Sequence, residues 1–122
     1  MIKKVKNVSY LIVETIDLAN NSGINELDGT FSYPVGFIPA GAEVVSVDAT
    51  PLEASGTLNV GINGALNKFI NAVNGATLTP VTSAVPFCAE KTEVIYLNSN
   101  TQTGKIKVRV QFFAPSEIVY EV

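Results

Sequence analysis

Apolar and polar residues alternate with a period of two along most of this chain, as expected of strands with one buried face. The clearest stretch is KIKVRVQFF (residues 105–113): Ile106, Val108, Val110 and Phe112 fall on one side, and Lys105, Lys107, Arg109 and Gln111 on the other. A helix would scatter those apolar residues around its axis. The stretch therefore predicts an antiparallel strand with one wet face. TFSYPVGF (30–37) does the same with Phe31, Tyr33, Val35 and Phe37. Within it Pro34 cannot donate to a ladder and marks an edge or a bulge. AEVVSVDAT (42–50) sets Val45, Val47 and Ala49 against Val44, Ser46 and Asp48, and TLNVGIN (57–63) buries Leu58, Val60 and Ile62. SYLIVETI (9–16) is a mostly apolar run and predicts a strand covered on both faces. TEVIYLN (92–98) reads equally well either way round, and SEIVYEV (116–122) sets Ile118, Tyr120 and Val122 against Glu117, Val119 and Glu121.

The breaks between these runs fit strands. NNSGINELDG (20–29) is a long polar connection, and NSNTQTG (98–104) reads as a hairpin closure before the cleanest strand. Pro39 in IPAG suits position i+1 of a β-turn. Residues 65–73 alone look helical, with Leu66, Phe69, Ile70 and Val73 at i, i+3, i+4 and i+7. Seven or eight short strands at this spacing predict an all-β chain, a single antiparallel β-sandwich of jelly-roll or immunoglobulin-like type. No repeat or linker divides it. Residues 1–122 make one domain, with 1–7 as a flexible basic N-terminal arm.

Composition sharpens the picture. Hydrophobic residues make up 47% of the 122-residue chain and charged ones 16%, against about 25% charge in a typical soluble domain. Either Ser, Thr and Asn cover the surface, or a partner does. The net charge of −3 gives no bulk basic character for nucleic acid. Cys88 is the sole cysteine; it can form no intrachain disulfide and reads as a buried, inert thiol. No apolar run approaches the ~18 residues of a membrane helix. The N-terminus loosely imitates a signal peptide, but Glu14 stops its apolar part early, so a mature terminus made in the cytoplasm is expected.

Chemistry is sparse. The chain has no histidine, which removes the usual general base near neutral pH and most zinc and copper sites. The carboxylates are scattered singly. Glu26 and Asp28 beside Gly29 could be considered for calcium, yet they lack the alternating ligands of a calcium loop and read as a turn. Gly61 and Gly64 lack the spacing of a phosphate loop and read as a strand irregularity and a turn. No enzyme activity, metal or cofactor is expected. Lys3, Lys4 and Lys6 form a basic cluster that is either a solvated tail or an electrostatic tether to an acidic protein surface.

FIPAGAEVVSVDATPLEASGTLNVGING (37–64), GATLTP (75–80) and AEKTEVIYLNSNTQTGKIKVRVQFF (89–113) together resemble small all-β virion proteins of tailed bacteriophages. In these an L/I-PAGA-V-V strand precedes an L-VG strand, and a Thr-rich segment leads into a closing GK-KV-V-F strand. The resemblance covers about residues 30–113 and carries over no catalytic residue. It implies a capsid decoration (cement) protein, or a related head or tail accessory protein. Such a protein would be made in the host cytoplasm and sit on the capsid surface against the major capsid protein. It would have no nucleic-acid, membrane or small-molecule partner. A homo-trimer is expected, because a three-fold junction between capsomers is clamped best by a three-fold ligand. Lys3, Lys4, Lys6 and Phe113 are the candidate contacts. Phe112 and Phe113 are adjacent on a strand and point to opposite faces, so Phe113 lies off the core; Phe37 and Phe87 are further candidates for surface left over. The alternative is a carbohydrate- or receptor-binding module of a tail fibre, which the absence of Trp weakens.

Overall fold

The computed structural model describes the backbone of residues 2–121 and the side chains of residues 9–114. Its ten strands are β1 (Ile2–Asp17), β2 (Ile24–Asn25), β3 (Phe31–Ile38), β4 (Glu43–Glu53), β5 (Thr57–Ile62), β6 (Ala65–Asn74), β7 (Val81–Ser83), β8 (Phe87–Cys88), β9 (Glu93–Ser99) and β10 (Lys105–Glu121). All pairings are antiparallel. One sheet runs β1-β10-β4-β7, with β8 also on β4; the other runs β2-β3-β9-β5-β6. The chain crosses repeatedly between the two sheets, which makes the fold a sandwich rather than a stack of hairpins.

The core is where the inner faces meet. Ile106, Val108 and Val110 of β10 are fully buried against Leu58 and Val60 of β5, Ile95 and Leu97 of β9, and Ile38 and Tyr33 of β3 in one apolar cluster. Each such side chain contributes roughly 1.5–3 kcal/mol relative to exposure. The predicted inward sets of β10 and β5 are therefore correct. Tyr33 reaches the polar rim of this core, where its hydroxyl donates to the Leu18 carbonyl at 3.2 Å. Burial raises its pKa, partly offset by a hydrogen bond from Gln102.

Several expectations need correction, most of them at bulges. Residues 65–73 are strand β6, not helix. Val60 pairs with Ile70 and Ile62 with Ala65, so two steps along β5 are matched by five along β6. The surplus turns adjacent Phe69 and Ile70 both inward and imitates a helical period. Gly61 sits beneath this bulge, since a Cβ there would collide with the backbone of Ala65 and Leu66. On β4, Gln111 pairs with Ser46 and Phe112 with Val44, leaving Val45 as an extra residue. Val44 is consequently buried and Val45 exposed, the reverse of simple alternation. On β3 the shift falls between Pro34 and Gly36, as Pro34 suggested. It keeps Val35 inside and sends Phe37 out to 64% exposure.

Other corrections concern pairing. The 98–104 segment closes no hairpin: β9 pairs with β3 and β5, and β10 with β1 and β4, so the segment crosses between sheets. Pro39 occupies position i of its turn, with Ala42 N–H donating to its carbonyl and Gly41 at φ +84°. The strands also outnumber the expected seven or eight, and two are long, at 16 and 17 residues. Cys88 is exposed, because alternation along β8 turns Phe87 and Ala89 toward the core and Cys88 away from it. Ile2–Lys6, within the segment expected to be a flexible basic arm, pair with Glu117–Glu121 as a ribbon that continues β1 and β10.

Candidate interaction surfaces

Strand β1 forms the outer edge of its sheet, with β10 as its one paired neighbour among the described residues. Its outward face also lacks a covering layer, so SYLIVETI is not covered on both faces. Its inward residue Ile12 packs on Gly36, the glycine of β3 that leaves room for it. Tyr10, opposite Phe112, stacks on that ring with centroids 5.5 Å apart. Leu11 and Val13 face outward and remain 59% and 44% exposed. Further across the same outer face the chemistry turns polar. Asp48 binds Arg109 Nη1 at 3.3 Å and accepts the hydroxyls of Thr50 and Thr82, each at 2.9 Å. The outer face is thus an ion-paired field with an apolar strip along its β1 margin. The apolar composition signalled uncovered surface, but alternation could not tell that β1 was the strand left at the edge.

Phe113 lies on the face of β10 opposite core residue Phe112 and is half-buried, opposite Ser9 of β1 and Glu43 of β4. It stands outside the apolar core, as its position in the strand predicts. Phe87 instead packs on the core, edge-on to Phe69 at 5.8 Å, with Lys68 Nζ over its ring at 4.8 Å. Lys3, Lys4 and Lys6 belong to β1 by backbone pairing; their side chains lie outside the described residues. The structure does not bring them together with Phe113 into one described site.

The other sheet carries a polar ladder on its outer face. Asn98 is buried and donates through Nδ2 to Thr30 Oγ1 at 2.8 Å and Ser32 Oγ at 3.1 Å. Its Oδ1 accepts from Asn59 Nδ2 at 3.1 Å, and Asn59 Oδ1 accepts the Ala72 backbone N–H at 2.8 Å. Beside the ladder lies an open groove of about 670 Å³, lined by Asn63, Asn67 and Asn71 together with Glu26 and Asp28. Sequence reasoning missed this groove. The asparagines are spread through the chain, and only the pairing of β3, β9, β5 and β6 aligns them.

The acids at hand are structural. Asp28 accepts the hydroxyl and the amide of Thr30 at 2.6 and 3.2 Å, closing the turn at Gly29. Those two bonds hold its carboxyl below the ordinary value of 3.8. Asp17 is lowered likewise, first by the Asn20 side chain at 2.6 Å, then by the amide of Ala19 and the charge of Lys105. Among the described residues, no three Asp, Glu, Cys or His side chains gather as a metal-ligand set.

No family model and no curated protein matches the chain. Solved structures do. A chain of the acid-stable capsid structure of Helicobacter pylori bacteriophage KHP30 is 28% identical, with a TM-score of 0.72 over 100% of both chains. A chain of the capsid asymmetric unit of cyanophage Pam1 is 20% identical, with a TM-score of 0.60 over 88% of this chain and 85% of that one; at that identity it speaks for the fold. The structural neighbours are thus phage capsid chains, in agreement with the resemblance seen over residues 30–113. The likeness to the KHP30 chain also takes in the N-terminal segment that the sequence motifs left out.

Proposed function

We propose that this chain is a capsid decoration protein, a non-enzymatic structural component of a phage virion that docks on the outside of the major capsid protein and stabilises the shell. The end-to-end likeness to a chain of a phage capsid structure carries this reading. The strand orders β1-β10-β4-β7 and β3-β9-β5-β6 also suit a jelly roll, an architecture common in viral capsid domains. In this reading the core makes an inert, rigid block, and function resides in the surfaces it presents. Lys3, Lys4 and Lys6 supply an electrostatic tether to the shell. Phe113 supplies contact area. A trimer at the three-fold junction of capsomers lets each contact be weak, since three linked copies bind with a high effective concentration.

The Asn-lined groove favours a second reading, a receptor- or glycan-binding module, because amide side chains match sugar hydroxyls as donors and acceptors. The groove lining contains no aromatic ring on which a sugar could stack, so this reading ranks second. Purification of virions separates the two. Decoration predicts copurification with assembled heads in fixed, lattice-related stoichiometry and no signal on a glycan array. A chain found on tails, or one that binds glycans and is absent from heads, overturns the decoration reading.

A further inference from the structure

The free edge of β1 is long and unguarded in its middle. Natural sheets blunt such edges with charge, proline or bulges. Between Asn7 and Val13 this strand has no charged residue, proline or glycine. The register shift near Lys6 does not interrupt it either: Lys6 to Val8 is two steps, against three from Ala114 to Glu117, so the surplus residue is on β10. Leu11, Val13 and Tyr10 are all exposed along this edge.

The charges at the two ends of the strand say what covers it. Lysines stand at positions 3, 4 and 6, and acids at 14 and 17. Consider two copies of β1 antiparallel, with Tyr10 opposite Tyr10 of the second copy. Position 6 then faces position 14, and position 3 faces position 17. No other antiparallel self-register sets both acids opposite lysines. Opposite charges directly across an antiparallel pair are favourable, and like charges are not. The same register sets Leu11 opposite Ser9 and diagonal to its own counterpart, within reach of a long side chain.

We propose that β1 is a two-fold self-association edge, by which a second copy of this chain extends the sheet across an antiparallel β1–β1 contact centred on Tyr10. The contact is isologous and satisfies both copies equally. It draws Lys3 and Lys6 to a second copy and leaves Lys4 for the shell, and it fits a decorated lattice, since neighbouring three-fold sites in a closed lattice are related by two-fold axes.

The test uses the full chain with Cys88→Ser, so that no other thiol interferes. Sedimentation equilibrium over a concentration series should give an even-numbered assembly of the 12.9 kDa chain, either a dimer or paired trimers. Glu14→Lys should weaken that step roughly tenfold at low salt, because the change counts twice across a two-fold axis and exposed charges are least screened there. Lys6→Glu combined with Glu14→Lys should restore it; rescue is the outcome that a mere loss of folding cannot produce. Opposed Cα atoms in an antiparallel pair lie about 4.5–5.5 Å apart, within disulfide range. Tyr10→Cys should therefore cross-link two chains under mild oxidation, and Val13→Cys should not. A monomer at every concentration overturns the proposal. So does an assembly indifferent to charge reversal, or cross-linking through position 13 and not 10.

Discussion

Asn59 Oδ1 accepts the backbone N–H of Ala72 at 2.8 Å, and Ala72 alone among the described non-glycine residues has a positive φ, +52°. The two facts belong together. The β6 bulge turns one amide out of the ladder, and the Asn59 side chain supplies the acceptor that the sheet cannot. Asn59→Ala should cost about 1–3 kcal/mol, since it orphans that amide and removes the donor to buried Asn98. Ala72→Gly should be neutral or mildly stabilising, because glycine takes the left-handed region without strain. Paired urea melts check both, and a large loss in Ala72→Gly would mean that the bulge does not need this conformation.

Val108→Asp places a carboxyl among fully buried apolar side chains, where nothing compensates its desolvation. It should destabilise by more than about 4 kcal/mol, the range reserved for severe core defects. Lys107→Asp, one step along on the outer face opposite Thr15 and Thr50, should cost under about 1 kcal/mol. Equal thermal melts for the two variants would contradict the register of β10.

Gly61→Ala should destabilise by about 1–3 kcal/mol, as expected for overpacking. The clash is with the backbone of Ala65 and Leu66, which no rotamer change relieves. Gly64→Ala meets no neighbour but keeps a strained φ of +83°, so its loss should stem from backbone strain alone and be about 1–2 kcal/mol. Denaturation midpoints distinguish the two provided the slopes stay equal.

The folded-state pKa values of Asp17 and Asp28 lie below the ordinary 3.8. A depressed carboxylate contributes stability that is complete above its unfolded value and is lost as pH falls through the folded one. The contribution should therefore be flat from neutral pH down to about 5 and fade below about 4. Asp28→Asn should be less stable than the parent at pH 7 and should converge on it as pH falls through the folded-state value of Asp28. A stability gap that stays constant with pH would show that the Thr30 contacts do not favour the charged form.

The decoration reading predicts that, on shells stripped of this protein, replacing Lys3, Lys4 and Lys6 together by Ser weakens rebinding at low salt more than at high salt. Exposed charges are screened within about 10 Å at 0.1 M ionic strength. Phe113→Ser should leave the thermal melt of the free chain nearly unchanged, since the ring lies outside the core, and should weaken docking or association. Rebinding unaffected at any salt would make the lysines bystanders.

The sequence by itself determined the strand class, the inward faces of β5 and β10, the Pro34 irregularity, the Asp28 turn and the roles of Gly61 and Gly64. Each of these follows from a local rule: side chains alternate every residue, and proline and glycine carry fixed backbone limits. Tertiary structure alone decided which faces Val44, Val45 and Phe37 take, because a bulge is a mismatch between two strands and leaves no mark in either one read singly. It also decided that residues 65–73 are a strand, that 98–104 cross between sheets, and that Asn98, Asn59 and Ala72 line up. The edge position of β1 is of the same kind. An apolar run looks alike whether a neighbour covers it or not; the long-range order of pairing puts β1 at the edge, and the two-layer packing leaves Leu11 and Val13 facing solvent.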